Sequence, residues 1–145
     1  MKINELHNQP VSPDTYEASM ALNQLLKIGK HAIKIHNMID DHAEMESWVA
    51  KKIDLAGDYV KKVHGYMQGE KAGLYDDGGM TEDAGEGHMS KSTLYHTAKY
   101  AIELMQMINK GDDLEGWVQS KLNKAADYLQ GVHNYEEYQK LNPYR

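Results

Sequence analysis

Histidine, aspartate and tyrosine are the side chains of this 145-residue chain that could do chemistry. It has eight histidines and ten tyrosines but no cysteine, which excludes disulfides, thiolate metal sites and a cysteine nucleophile. Histidines that share one metal on a helix face lie four residues apart. His31 and His36 are five apart and His36 and His42 are six apart. We therefore predict surface or rim positions for the histidines.

No catalytic motif accompanies these residues. A carboxylate-bridged di-metal centre in a helical bundle needs Glu-x-x-His, and this pattern does not occur in the sequence. Phosphate-binding, dinucleotide-binding and nucleophile-elbow motifs do not occur either. We therefore expect a protein that is not an enzyme, with no catalytic residue, metal site or cofactor.

The chain repeats itself when it is shifted by 69 residues. Segments 30–67 and 99–136 align without a gap and share 15 of 38 residues, which indicates duplication of one unit. Besides Lys30/Lys99, the shared polar and aromatic residues are Glu46/Glu115, Trp48/Trp117, Lys52/Lys121, Asp58/Asp127, Tyr59/Tyr128, His64/His133 and Tyr66/Tyr135.

A structural role for this set is favoured over a duplicated binding site, which remains the alternative. Glu46 is expected in the first turn of a helix, where the dipole favours an acid. Lys52 is six residues from Asp58, too far for an ion pair on one helix, so we predict that Lys52 and Lys121 reach the other copy. The interaction or structural anchors singled out are Trp48, Trp117, Tyr59, Tyr128, Asp58, Asp127, His64 and His133.

Both tryptophans are predicted to be core anchors at the start of a helix. Loss of either ring would then cost about 3–5 kcal/mol of folding free energy.

Each copy has the pattern of two helices joined by a short loop. In the first helix, from about Pro13 to Asp40, a core stripe is predicted at Leu22, Leu25, Gly29, Ala32, His36 and Ile39, widened by Leu26 and Ile33. The second helix starts near Trp48. The polar connection DDHAEME is short, which favours an antiparallel neighbour.

These elements predict an all-α protein, an antiparallel four-helix bundle built from two tandem helical hairpins with pseudo-two-fold symmetry. Its predicted parts are an N-terminal arm (1–12), hairpin repeat 1 (13–67), a flexible acidic Gly-rich linker (68–90), hairpin repeat 2 (91–137) and a C-terminal tail (138–145). The alternative is a dimer whose hairpins pair between chains.

The charge limits the class of partner. The net charge is −6, and the predicted linker alone holds six acids and one base. An acidic chain without a basic stripe is a poor nucleic-acid binder, and no run of about 20 apolar residues could span a membrane. The N-terminus lacks the apolar run of a signal peptide. We expect a protein partner or self-association, with no nucleic acid and no membrane.

The second helix of each copy contains the string E-x-W-V-x-x-K-[IL]-x-x-A-x-D-Y, at residues 46–59 and 115–128. It resembles a helical module of uncharacterised or virion-associated proteins of marine tailed phages, including cyanophages. The resemblance implies a phage structural or accessory protein, located in the host cytoplasm during infection or in the virion. A small host- or phage-directed regulatory binder and a metal- or ligand-binding helical bundle remain the alternatives.

Overall fold

Four helices make up the fold. A computed structural model describes residues 13–72, 86–109 and 111–141, and within these ranges it contains helices and no strand. The helices are α1 (Pro13–Met38), α2 (Ser47–Ala72), α3 (Glu86–Met107) and α4 (Gly116–Leu141).

Several helices extend beyond the segment boundaries predicted from the sequence. The first helix matches its predicted extent, whereas α2 and α3 each continue into the predicted linker 68–90. The helix α4 likewise continues through Leu141 into the predicted tail. The N-terminal arm, the linker residues 73–85 and the tail residues 142–145 lie outside the described residues.

The two helices of each copy are not packing neighbours. Both α1 and α2 pack against α3 and α4, but no close backbone contact joins α1 to α2, or α3 to α4, in the described parts of the chain. The short connections had predicted that the two helices of each copy pack together as a hairpin, and this prediction is wrong. Each connection has eight residues (39–46 and 108–115), which reach about 26 Å when extended. That reach exceeds the diagonal of about 14 Å between opposite corners of a bundle with helices about 10 Å apart.

The core of α1 follows steps of three and four residues and overlaps the predicted stripe. Leu25, Gly29, Ala32 and Ile39 are buried as predicted, whereas Leu22 and His36 are only partly buried. The buried apolar residues of α1 and its C-terminal end are Ala18, Ala21, Leu25, Ile28, Ala32, Ile35 and Ile39. Leu26 and Ile33 were predicted to widen the stripe, but 45% and 47% of their surface is exposed. Each follows a core residue directly, and one residue turns a helix by about 100°, which carries the side chain out of the core.

Two glycines permit close backbone approach. A Cβ on Gly57 of α2 would lie 2.7 Å from Thr93 Cγ2 of α3. A Cβ on Gly87 would lie 2.5 Å from the carbonyl oxygen of Asp40. The second contact places the beginning of α3 beside the end of α1.

Candidate functional site

The repeated aromatic residues of α2 and α4 face each other. The ring of Trp48 packs edge-on against Tyr135, with centroids 4.9 Å apart. The equivalent contact joins Tyr66 to Trp117, also at 4.9 Å. We call this surface the aromatic seam, which comprises Trp48, Lys52, Tyr59, Tyr66, Trp117, Lys121, Tyr128 and Tyr135. Every ring contact above joins one copy to the other.

Glu46 and Glu115 tie the two ends of the seam together. Glu115 accepts hydrogen bonds from Trp117 Nε1 (3.0 Å) and from the Tyr66 hydroxyl (2.7 Å). Glu46 likewise accepts from Trp48 Nε1 and from the Tyr135 hydroxyl. Both acids directly precede a helix rather than lying in its first turn as predicted. Their carboxylates therefore serve contacts between copies.

The two lysines of the seam lie over tyrosine rings of the other copy. Lys52 Nζ is 4.0 Å from the ring centroid of Tyr128, and Lys121 Nζ is 4.5 Å from that of Tyr59. The prediction that these lysines reach the other copy is confirmed. Cation–π contacts of this kind stabilise by about 0.5–1 kcal/mol at exposed sites.

Tyr59 and Tyr135 of the seam are poor nucleophiles. Desolvation, and then the nearby Tyr128, raise the pKa of Tyr59. The hydrogen bond to Glu46, and then desolvation, raise the pKa of Tyr135. Because both shifts are upward from 10.0, both hydroxyls keep their protons at neutral pH. They can donate hydrogen bonds there but cannot act as phenolates.

The prediction that both tryptophans are core anchors is wrong. Trp48 is 42% exposed and Trp117 is 38% exposed. Each indole stands at the first turn of its helix, held by one edge contact and one hydrogen bond. The remaining ring surface faces solvent, where it is available to a partner.

Trp48→Ala and Trp117→Ala are each expected to lower the free energy of unfolding by about 1 kcal/mol, because an aromatic edge contact contributes about 0.5–1.5 kcal/mol. Urea denaturation of the two variants measures this. A loss of about 4 kcal/mol in either variant would instead indicate that its tryptophan ring is a core anchor.

Asp58 and Asp127 do not belong to the seam. Both are exposed, and Asp58 pairs with Lys62 one turn later at 3.3 Å. Exposed pairs at this spacing contribute only about 0.3–0.5 kcal/mol. Among the residues that the structure describes, no side chain contacts both Asp58 and Asp127 to make them one site.

His64 and His133 occupy equivalent positions with different surroundings. His64 is buried, contrary to the prediction of surface or rim histidines, and its Nε2 lies 2.7 Å from Glu103 Oε1. Its ring stacks on Tyr100. His133 instead meets His31, with ring centroids 5.0 Å apart, and its buried Nδ1 has no hydrogen-bond partner among the described residues.

The repeat explains this divergence. Position 31 is equivalent to Tyr100, and Lys34 is equivalent to Glu103. The carboxylate that accepts from His64 is thus replaced by a lysine at the equivalent position of the other copy. The two copies do not preserve one histidine site, which argues against a duplicated active centre.

His31 makes stability depend on pH. Burial first, and then His133, lower the pKa of His31 from 6.5. The folded state therefore favours the neutral ring, so its full stability holds above about pH 6.5 and is lost as pH falls toward the folded pKa. We expect His31→Tyr, the residue of the other copy, to lose less unfolding free energy than wild type between about pH 7.5 and about pH 5. Denaturant titrations in which His31→Tyr and the wild type lose the same unfolding free energy over this pH range would contradict this.

A shallow pocket of about 340 Å³ opens at one end of the seam. It is lined by Tyr66, Met67, Asp112, Asp113, Leu114, Glu115 and Val118. Glu115 is already engaged by Tyr66 and Trp117. Over the described ranges, no group of three or more His, Asp or Glu side chains is arranged to hold a metal ion.

The comparisons with known proteins supply no relative. No protein-family model, curated protein or solved structure matches the chain. Among the helices that the structure describes, none combines the length and the apolar composition that a membrane span requires.

Sequence reasoning missed a second repeated set, which consists of exposed apolar residues. Besides the tryptophans, this set comprises the pairs Met20/Met89, Leu26/Tyr95 and Ile33/Ile102. The signal was present, since Ile33 and Ile102 are identical in the alignment. The sequence pattern predicts a core position for Ile33, because an apolar residue next to a core stripe normally belongs to that stripe.

Proposed function

We propose that this chain is a non-enzymatic phage structural or accessory protein that acts by binding another protein, as a virion or assembly component. The observation that carries this proposal is the repetition of exposed apolar side chains at equivalent positions of both copies. Scattered exposed apolar residues are ordinary on protein surfaces. Their recurrence as pairs marks organised contact surface.

The contacts of the repeated polar residues support the same proposal. Glu46, Lys52, Tyr66 and their equivalents are engaged between the copies. Their retention in both copies therefore has a structural cause. Surface for a partner remains on the apolar residues outside these contacts.

We also infer that the two copies are related by an approximate two-fold axis, and that α2 and α4 run antiparallel. The aromatic seam supports this, because its contacts occur in pairs offset by 69 residues. Trp48 near the start of α2 meets Tyr135 near the end of α4, and Tyr66 meets Trp117 in the reverse sense. Such symmetry presents each exposed feature twice.

The phage origin and the location in the host cytoplasm or the virion rest on the resemblance of residues 46–59 and 115–128. Proteomic analysis of gradient-purified phage particles from the source system tests the virion role. We expect the chain at a fixed copy number per particle that survives high-salt washing. Its absence from particles, together with its presence in infected cells, would remove the virion role and favour the small regulatory binder.

The ligand-binding alternative has one observation in its favour, the pocket beside Asp112 and Asp113. Elemental analysis of the purified protein, with melting curves in the presence and absence of chelator, distinguishes it. Stoichiometric metal and a melting temperature lowered by chelator would favour this alternative. The interaction protein is expected to show neither.

A further inference from the structure

Four exposed apolar side chains form two repeated pairs on α1 and α3. Leu26 and Ile33 are 45% and 47% exposed, and their equivalents Tyr95 and Ile102 are 58% and 47% exposed. Within each helix the two residues lie seven positions apart, so they share one side.

On α1, that side is turned toward α3. The helix contacts α4 through Gln24, which donates to Asn123, and through His31, which meets His133. Leu26 and Ile33 each follow one of these residues by two positions, about 200° further around the helix. Since α1 packs only against α3 and α4 among the described helices, Leu26 and Ile33 border the α3 side.

Tyr95 and Ile102 likewise lie toward α1. Thr93 and Tyr100 face α2, where they meet Gly57 and His64. Tyr95 and Ile102 follow them by two positions and so lie on the other side of α3. Because the beginning of α3 lies beside the end of α1, the two helices run in opposite directions. The four side chains therefore flank one groove, which we call the apolar groove.

The floor of the apolar groove is built from small residues. Gly29 and its equivalent Ala98 are both buried and lie between the flanking side chains along each helix. A Cβ placed on Gly29 would meet no atom within 4 Å. The groove therefore has small residues and open space at its centre, where no large side chain of the described residues fills it.

The charge beside the apolar groove is positive, although the whole chain is acidic. Lys30 stands between Leu26 and Ile33 in sequence, and its identical equivalent Lys99 stands between Tyr95 and Ile102. Both lysines are exposed. The nearest acid along α3, Glu103, is turned to α2, where it pairs with His64.

This charge distinguishes between occupants. A second copy docked face to face would bring Lys30 and Lys99 of both molecules together, and like charges in contact are unfavourable. An acidic partner would instead pair with both lysines.

We propose that the apolar groove binds an amphipathic helix of a partner protein, with an apolar stripe and flanking carboxylates. This proposal rests on the proposed interaction role and names its surface and the chemistry of its partner. The apolar stripe packs between the four flanking side chains, as in helix-in-groove recognition. Carboxylates beside the stripe pair with Lys30 and Lys99.

Two synthetic helical peptides of about 20 residues, long enough to hold a helix, test the proposal by calorimetry. They share a leucine stripe, and one carries glutamates beside it where the other carries lysines. We expect the acidic peptide to bind the wild-type protein at least about 10-fold more tightly. Ile33→Asp/Ile102→Asp should weaken its binding by about 10-fold or more, because both halves of the groove lose an apolar wall. Circular dichroism should show an unchanged fold, since both positions are exposed.

Charge reversal provides the matched comparison. Lys30→Glu/Lys99→Glu should reverse the preference between the peptides. The control variant Lys51→Glu/Lys124→Glu should retain the preference, because it makes the same change of net charge at exposed positions of α2 and α4. Equal binding of both peptides, no binding of either, or unchanged binding by Ile33→Asp/Ile102→Asp would overturn the proposal. A dimer in sedimentation runs that the aspartate variant abolishes would also overturn it, in favour of a second copy.

The same aspartate variant separates the two proposals. If Ile33→Asp/Ile102→Asp still joins phage particles while neither peptide binds the wild-type protein, the interaction role survives and the apolar groove is not its surface. If the wild-type protein binds no particle component, the proposed function itself fails.

Discussion

Ile35→Ala is expected to lower the free energy of unfolding by about 3–4 kcal/mol, within the range for large-to-small changes in protein cores. Ile35 is fully buried in the core of α1. Truncation removes three carbons from a packed interior, and the helix backbone cannot collapse fully into the space. Equilibrium urea unfolding at fixed pH measures the change.

The control for this substitution lies two residues away. Ile33→Ala removes the same atoms from a side chain that is 47% exposed, and surface changes of this kind stay within about 0.5 kcal/mol. The repeat offers a second matched set, Leu104→Ala against Ile102→Ala, because Leu104 is buried and Ile102 is exposed. Similar losses for Ile33→Ala and Ile35→Ala would mean that the register of the core is wrong.

Gly87→Ala is expected to lower the free energy of unfolding by about 2–3 kcal/mol, the upper part of the range for overpacking. A Cβ there would lie 2.5 Å from the Asp40 oxygen and 2.9 Å from the Asp41 oxygen. These are backbone atoms, so relief requires movement of the α1–α2 connection or of the start of α3. Thermal and urea unfolding would both report the loss.

Gly116→Ala is the matched control, since Gly116 also stands in the first turn of a helix. A Cβ at Gly116 meets no atom within 4 Å, and alanine is a better helix former than glycine by about 1 kcal/mol. We expect this variant to be as stable as wild type or slightly more so. If both variants behave alike, the close approach of α3 to residues 40–43 does not occur in solution.

Local periodicity predicted the helices better than it predicted their faces. Alternating steps of three and four residues, with Pro13 at the first helical position, were enough to locate α1 within two residues at each end. The faces depend on how many neighbours a helix has. Leu26 and Ile33 read as core because they extend an apolar stripe, but only burial against α3 and α4 decides where the stripe ends.

The arrangement of the helices could not be read from loop length. Eight residues are enough for an adjacent or a diagonal connection, so the polar connection at 39–46 is compatible with both. Gly87 settles the local geometry, because only a residue without a Cβ fits against the Asp40 and Asp41 oxygens. In the sequence, that glycine was part of a glycine-rich segment and could not be distinguished from a linker residue.

The sequence showed that the polar residues are retained in both copies, but it did not show which residues they contact. Lys52 was correctly expected to reach the other copy, since its spacing from Asp58 excludes a pair on one helix. The core position predicted for Trp48 was wrong, because a tryptophan at the start of a helix can lie either in the core or at its rim. The difference between His64 and His133 depends on their neighbours, Glu103 of α3 for His64 and His31 of α1 for His133, which are distant in sequence.

Cross-linking tests most directly whether the aromatic seam joins the two copies within one chain. The chain has no native cysteine, so Tyr59→Cys/Tyr128→Cys introduces one reactive pair where the two rings lie 6.0 Å apart. Asp58→Cys/Asp127→Cys places the pair about 100° further around each helix on exposed positions.

With a short bis-maleimide in dilute protein, we predict that the first pair gives an intramolecular cross-link in monomers at every concentration. The control pair is expected to give little product. Covalent dimers from the Tyr59→Cys/Tyr128→Cys variant, in a yield that does not fall on dilution, would show that the copies pair between chains and would contradict the intramolecular seam.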